Sequence, residues 1–117
     1  MGGLEEGKKT RRLRHRFFGE EGGDPCDLHV ELDLVGLQPE ASKLLVAGEV
    51  LQVELVAMDN AVSVICRTAN GRVVGALAAF RGLAQLITCI RQGVEYGASV
   101  IEASSTRCSV YVSRVKP

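Results

Sequence analysis

The sequence predicts a mainly β domain with one or two helices, an α+β fold arranged as a small OB-like or SH3-like β-barrel. Three observations predict it. Apolar and polar residues alternate in several short runs from Asp27 onward. Turn-forming residues separate those runs. A single stretch after Phe80 changes to helical spacing. A chain of 117 residues holds about one domain with one modest core. Aromatic residues make up only 4% and Trp is missing, so the core falls to Val, Leu, Ile and Ala and stacking platforms are few.

The elements follow in order. Residues 1–25 are rich in Gly and basic side chains, without a sustained period, and read as a flexible arm ending near Pro25; residues 26–117 read as the barrel domain. Leu28, Val30, Leu32 and Leu34 alternate with His29, Glu31 and Asp33, the period of a strand with one buried face. Gln38-Pro39-Glu40 opens a turn, and residues 41–46 fit a short strand or one helical turn. A second strand follows Gly48, with Leu51, Val53 and Leu55 on one face. A third spans residues 61–66. Asn70-Gly71 suits a type I′ hairpin, since both residues tolerate positive φ, and residues 72–77 form the return strand. Phe80, Leu83, Leu86, Ile87 and Ile90 share one helical face, with Arg81 at the helix start and Gly93 placed to end it in the left-handed conformation. Two more strands, near residues 98–103 and 108–115, flank the polar loop Ser104-Ser105-Thr106-Arg107.

Zero net charge conceals an asymmetry: residues 1–19 carry +4, residues 20–60 carry −9 and residues 61–117 carry +5. Such a distribution steers a charged partner, or cancels where the halves interleave in the fold. No apolar run approaches the roughly 20 residues of a membrane span. Cys26, Cys66, Cys89 and Cys108 form no C-x-x-C pair and read as reduced, buried thiols. With no secretory signal pattern at the start, the expectation is a cytoplasmic protein.

Residues suited to catalysis are sparse. His15 lies in the arm and His29 on the polar side of a strand, neither beside a nucleophile. Asp24, Cys26, Asp27 and His29 lack the spacing of a zinc set. The glycines match no phosphate-binding loop. The expectation is a binding module, not an enzyme, with no metal or cofactor. Binding residues are sought among the arginines of the second half: Arg67 and Arg72 flank the hairpin, Arg81 is close by, and Tyr96 offers a ring on which a base could stack.

Four stretches in order, Leu34-Val35-Gly36-Leu37, Gly48-Glu49 before an alternating strand, Asp59-Asn60-Ala61-Val62, and Asn70-Gly71-Arg72-Val73-Val74-Gly75-Ala76-Leu77, together resemble the HIRAN domain family in a divergent, stand-alone bacterial form. The resemblance spans about residues 27–115. It implies a small barrel related to the oligonucleotide-binding fold and, from better-studied members, binding of single-stranded DNA near a free 3′ end. Carried over, Asp59 would face the terminal hydroxyl, with Asn60 beside it, and Tyr96 would stack on the last bases. The family's basic-proline-asparagine loop before the aspartate is missing here, and its Tyr-Asp pair reads Met58-Asp59. Two binding readings follow: single-stranded nucleic acid at Asp59, Asn60, Arg67, Arg72, Arg81 and Tyr96, or a protein partner (a second copy included) meeting the acidic region 27–59.

Overall fold

The computed structural model describes residues 16–17 and 24–115. Its elements, in chain order, are β1 (Arg16–Phe17), β2 (His29–Val35), α1 (Pro39–Ser42), β3 (Val50–Met58), β4 (Ala61–Arg67), β5 (Val73–Leu77), α2 (Leu83–Arg91), β6 (Tyr96–Ala103) and β7 (Cys108–Arg114). Six of the strands lie in the order β2-β5-β4-β3-β6-β7, all antiparallel, and β7 returns to β2. The result is a closed barrel, mostly β with two short helices, as the alternating pattern requires. The meander β3-β4-β5 with β2 returning beside β5 is a Greek key. Most of the expected arm, residues 1–15 and 18–23, lies outside the described residues; Arg16 and Phe17 pair with Glu31 and Val30 on β2.

The closing strand shows why periodicity was enough to find it. Val30, Leu32 and Leu34 are buried, while His29, Glu31 and Asp33 are half-buried on the outer face. One edge of β2 takes β7, through His29–Asp33 against Ser109–Ser113. The barrel closes on its other edge, where Leu34 and Val35 oppose Leu77 and Ala76 of β5. Interior side chains of β3, β5, β6 and β7, among them Leu51, Val74, Val100, Val110 and Val112, meet those of β2 in a single aliphatic core. Gly75 permits the β2–β5 approach: a Cβ there would sit 2.9 Å from the Val35 carbonyl oxygen and 3.2 Å from Leu37 Cδ2.

Three local expectations are corrected. The β4–β5 connection is not a two-residue type I′ turn. Gly71 N–H donates to the Thr68 carbonyl and Thr68 N–H to the Arg72 carbonyl, and only Gly71 has positive φ, giving a three-residue loop with a glycine bulge. The two-residue hairpin is instead Asp59-Asn60, between the paired Met58 and Ala61, with Asp59 at φ +55°. Helix α2 starts at Leu83, not beside Arg81, because Gly82 at φ +102° separates it from the turn closed by Leu83 N–H and the Phe80 carbonyl. Its far end is as expected: Gly93 (φ +98°) donates to Ile90 and Val94 to Cys89, a Schellman motif. Residues 39–42 take the helical alternative, and the Ser42 hydroxyl anchors that turn on the Ser104 carbonyl at 2.6 Å.

The third correction concerns the thiols. Cys66 and Cys108 are free and buried, but Cys26 and Cys89 form a disulfide across 63 residues of sequence. Spacing gave no sign of it because the pair joins the segment before β2 to the middle of α2, elements that only the closed barrel brings together. A loop of that size removes on the order of 4 kcal/mol of chain entropy from the unfolded state in the simple chain model. One of the two grounds for expecting a reducing compartment therefore does not hold for this pair. No helix among the described residues is long and apolar enough to cross a membrane.

The close approach at Gly75 sets a test. Gly75→Ala is expected to destabilise the domain by about 1–3 kcal/mol, because a backbone carbonyl must move to admit the methyl group. Urea unfolding followed by circular dichroism measures it; an unchanged midpoint would show that the β2–β5 contact is loose.

Candidate functional site

The residues expected to bind a ligand do not converge. Asp59 and Asn60 are exposed at one end of the β3–β4 hairpin. Arg67 and Arg72 lie at the other end of β4, a separation of roughly 20 Å at the usual strand rise. Arg67 is engaged: Nε donates to Glu54 at 3.1 Å and a terminal nitrogen donates to the Gly71 carbonyl at 3.0 Å. Glu54 faces Ile65 across the ladder, so Arg67 is its diagonal neighbour on the same face. Arg81 is exposed in the turn before α2.

Tyr96 does not occupy the position a stacking residue needs. It belongs to β6, is only 3% exposed, and its hydroxyl donates to the Cys26 carbonyl. Burial also pushes its phenol pKa up. Neither ring face is open to a base. Its aromatic identity was visible in the sequence, but its place in the barrel wall depended on β6 reaching back to residue 96, on the same face as Ala98 and Val100.

Two surface depressions stand out among the described residues. The first, of about 500 Å³, lies between α1 and the β4–β5 hairpin, lined by Leu44, Glu49, Asn70 and Arg72 among others. A shallower extension of about 290 Å³ shares Ala41 and Arg72 and continues past Gln38 and Glu40. Arg72 therefore stands where the two meet. Its backbone is fixed by Thr68, with Arg72 N–H donating to Thr68 Oγ1 at 3.0 Å, while its side chain is exposed and makes no ion pair among the described residues. Leu44, 67% exposed, forms an apolar wall.

The second depression, of about 430 Å³, lies between the end of α2 and strands β3 and β6. Val50, Val53, Ile90, Val94 and Val115 make it mainly aliphatic, and Glu54 and Glu95 add negative charge. Gly97 forms part of its floor; a Cβ there would lie 3.0 Å from Val50 Cγ1.

Beside this groove the chain entering β2 is held by a cluster of bonds. Asp24 accepts from Cys26 N–H at 2.9 Å and from Arg114 at 2.6 Å, and both contacts hold its carboxyl below the usual carboxylate range. The Gln85 side chain donates to the Pro25 carbonyl at 3.2 Å. Of the candidates considered for a metal, Cys26 is thus consumed by the disulfide and Asp24 by Arg114. Among the described residues no group of three or more His, Cys, Asp or Glu side chains could hold a metal ion.

Fold and grooves together define a small closed antiparallel barrel with shallow surface depressions among the described residues. Comparisons with protein-family models, curated proteins and solved structures find no match for the chain.

The Asp24–Arg114 pair carries a pH test. With its folded pKa depressed, Asp24 contributes stability that is present in full above its ordinary value of 3.8 and is lost as pH falls through the lower folded value. Asp24→Asn is therefore expected to lower the urea midpoint at pH 7, and the gap from the native chain to close in strong acid. A gap independent of pH would assign the effect to packing. A second substitution probes the buried phenol: Tyr96→Phe should cost about 1 kcal/mol by leaving the Cys26 carbonyl without that donor, read from the same unfolding curves at neutral pH.

Proposed function

We propose that this domain is a non-catalytic binding module that takes an extended polyanion, single-stranded nucleic acid, across the groove at Arg72. The observation carrying this reading is the distribution of paired and unpaired cations. Arg67, Arg107 and Arg114 are matched with Glu54, with Asp33 and Glu102, and with Asp24, respectively. Arg72 has no such partner among the described residues and projects where two depressions join. A phosphate at that guanidinium displaces no ion pair with a described residue, and the basic arm adds sequence-independent affinity. The HIRAN resemblance supports the ligand class. It supports end recognition less, because Tyr96 is buried and Asp59 stands far from Arg72.

A protein-binding reading is favoured by one different feature, the aliphatic groove beside α2, where Val50 is 57% and Val115 45% exposed. An apolar partner would bury both valines there.

Fluorescence anisotropy with labelled single strands distinguishes the readings. We expect binding at low salt that weakens about five-fold in Arg72→Ala and little in Arg67→Ala, with a slope against salt reduced by about one charge in the former. Strands with free and blocked 3′ ends are expected to bind alike. No binding of either strand at low salt would overturn the nucleic-acid reading and leave the apolar groove as the surface to test.

A further inference from the structure

The disulfide joins the segment before β2 to α2, both outside the strand ladders of the barrel. Neither cysteine lies in a strand, and no ladder of the barrel includes either one. The segment before β2 is fixed by Asp24, the Pro25 carbonyl, the Cys26 carbonyl and the disulfide. Helix α2 buries only Leu86 and Cys89 fully, so the disulfide occupies one of its two deepest anchor points. The same helix supplies Ile90, and the turn after it Gly93 and Val94, to one wall of the aliphatic groove.

We propose that Cys26–Cys89 is a thiol–disulfide exchange site whose reduction by a dithiol releases α2 from the segment entering β2, and so loosens one wall of the groove while the barrel stays closed. Both cysteines are buried, Cys26 at 7% and Cys89 at 0% exposed, so exchange begins at the less enclosed Cys26 once the segment before β2 opens locally. The dithiol's thiolate bonds to Cys26 Sγ as the Cys26–Cys89 bond breaks, and Cys89 leaves as a thiolate that takes a proton. The second thiol of the reductant then attacks the mixed disulfide, releasing Cys26 as a thiolate that is protonated in turn. Two electrons and two protons pass to the protein, and the dithiol becomes a disulfide. The other two cysteines stay out of this chemistry. Burial pushes Cys66 up to about 12 and Cys108 up to about 11, so both remain neutral thiols.

The test uses the full chain, air-oxidised or treated with dithiothreitol, with iodoacetamide peptide mapping and hydrogen-exchange mass spectrometry. Expected is a linked Cys26–Cys89 peptide in the oxidised chain and alkylation of these two cysteines alone after reduction. Amides of residues 24–28 and 83–94 should then exchange about tenfold faster or more, with the β2–β7 ladder nearly unchanged. The double variant Cys26→Ser, Cys89→Ser should show the reduced pattern without reductant and ignore its addition. Absence of the linked peptide, or unchanged exchange after reduction, would overturn the proposal. So would a uniform rise across the barrel, or a double variant that cannot fold, since either makes the bond a staple for the whole domain.

Discussion

Closure of β7 onto β2 is the constraint on which the remaining structure depends. Within the barrel, the seven-residue strand His29–Val35 must satisfy two different neighbours along its length. It does so by pairing with β7 on one edge and with β5 on the other, where β1 also joins it. Once that ladder forms, β7 has no free edge, and backbone groups that would otherwise face water or another chain are paired internally. The aliphatic alternation on β2 then faces the alternations on β3, β5, β6 and β7 across a narrow interior. Gly75 is the residue that lets β5 come close enough for this to happen.

Closure also decides what becomes of the charge asymmetry. The acidic segment and the basic second half meet in at least three places among the described residues. Ion pairs join Asp33 to Arg107, Glu54 to Arg67 and Asp24 to Arg114, so three cations from the second half are neutralised by carboxylates from the first. Exposed pairs of this kind contribute little stability individually. They tie those arginines to carboxylates, whereas Arg72, Arg81 and Arg91 are exposed and make no ion pair among the described residues.

A second consequence is the cluster at the entrance to β2. The Cys26 carbonyl accepts from Tyr96, its amide donates to Asp24, and its sulfur is bonded to Cys89. One residue thereby ties β6, the end of β7 through Arg114, and α2 to the start of the barrel. The aromatic ring that a binding reading would place on the surface is used as a buried support for this junction.

Local periodicity located most of the strands and the second helix, and the faces of β2 and α2 that turn inward. Leu28 to Leu34, Leu51 to Leu55 and the helical spacing from Leu83 to Ile90 carry their own periodicity, and Gly93 ends the helix for a local reason, its tolerance of positive φ. Local chemistry also favoured a turn at Asn70-Gly71, though the ladder between β4 and β5 selected the longer glycine-bulge loop. Other features follow from barrel closure alone. Tyr96 is buried because β6 reaches back two residues beyond Ala98, which places the ring on the inward face shared with Ala98 and Val100. Cys26 meets Cys89 because closing the barrel brings together segments 63 residues apart. Arg67 and Arg72 look equivalent beside their hairpin in sequence, but a carboxylate diagonal to Arg67 across the sheet separates their roles. Periodicity reports what each segment does with its own neighbours; pairing across the barrel depends on contacts that no local pattern contains.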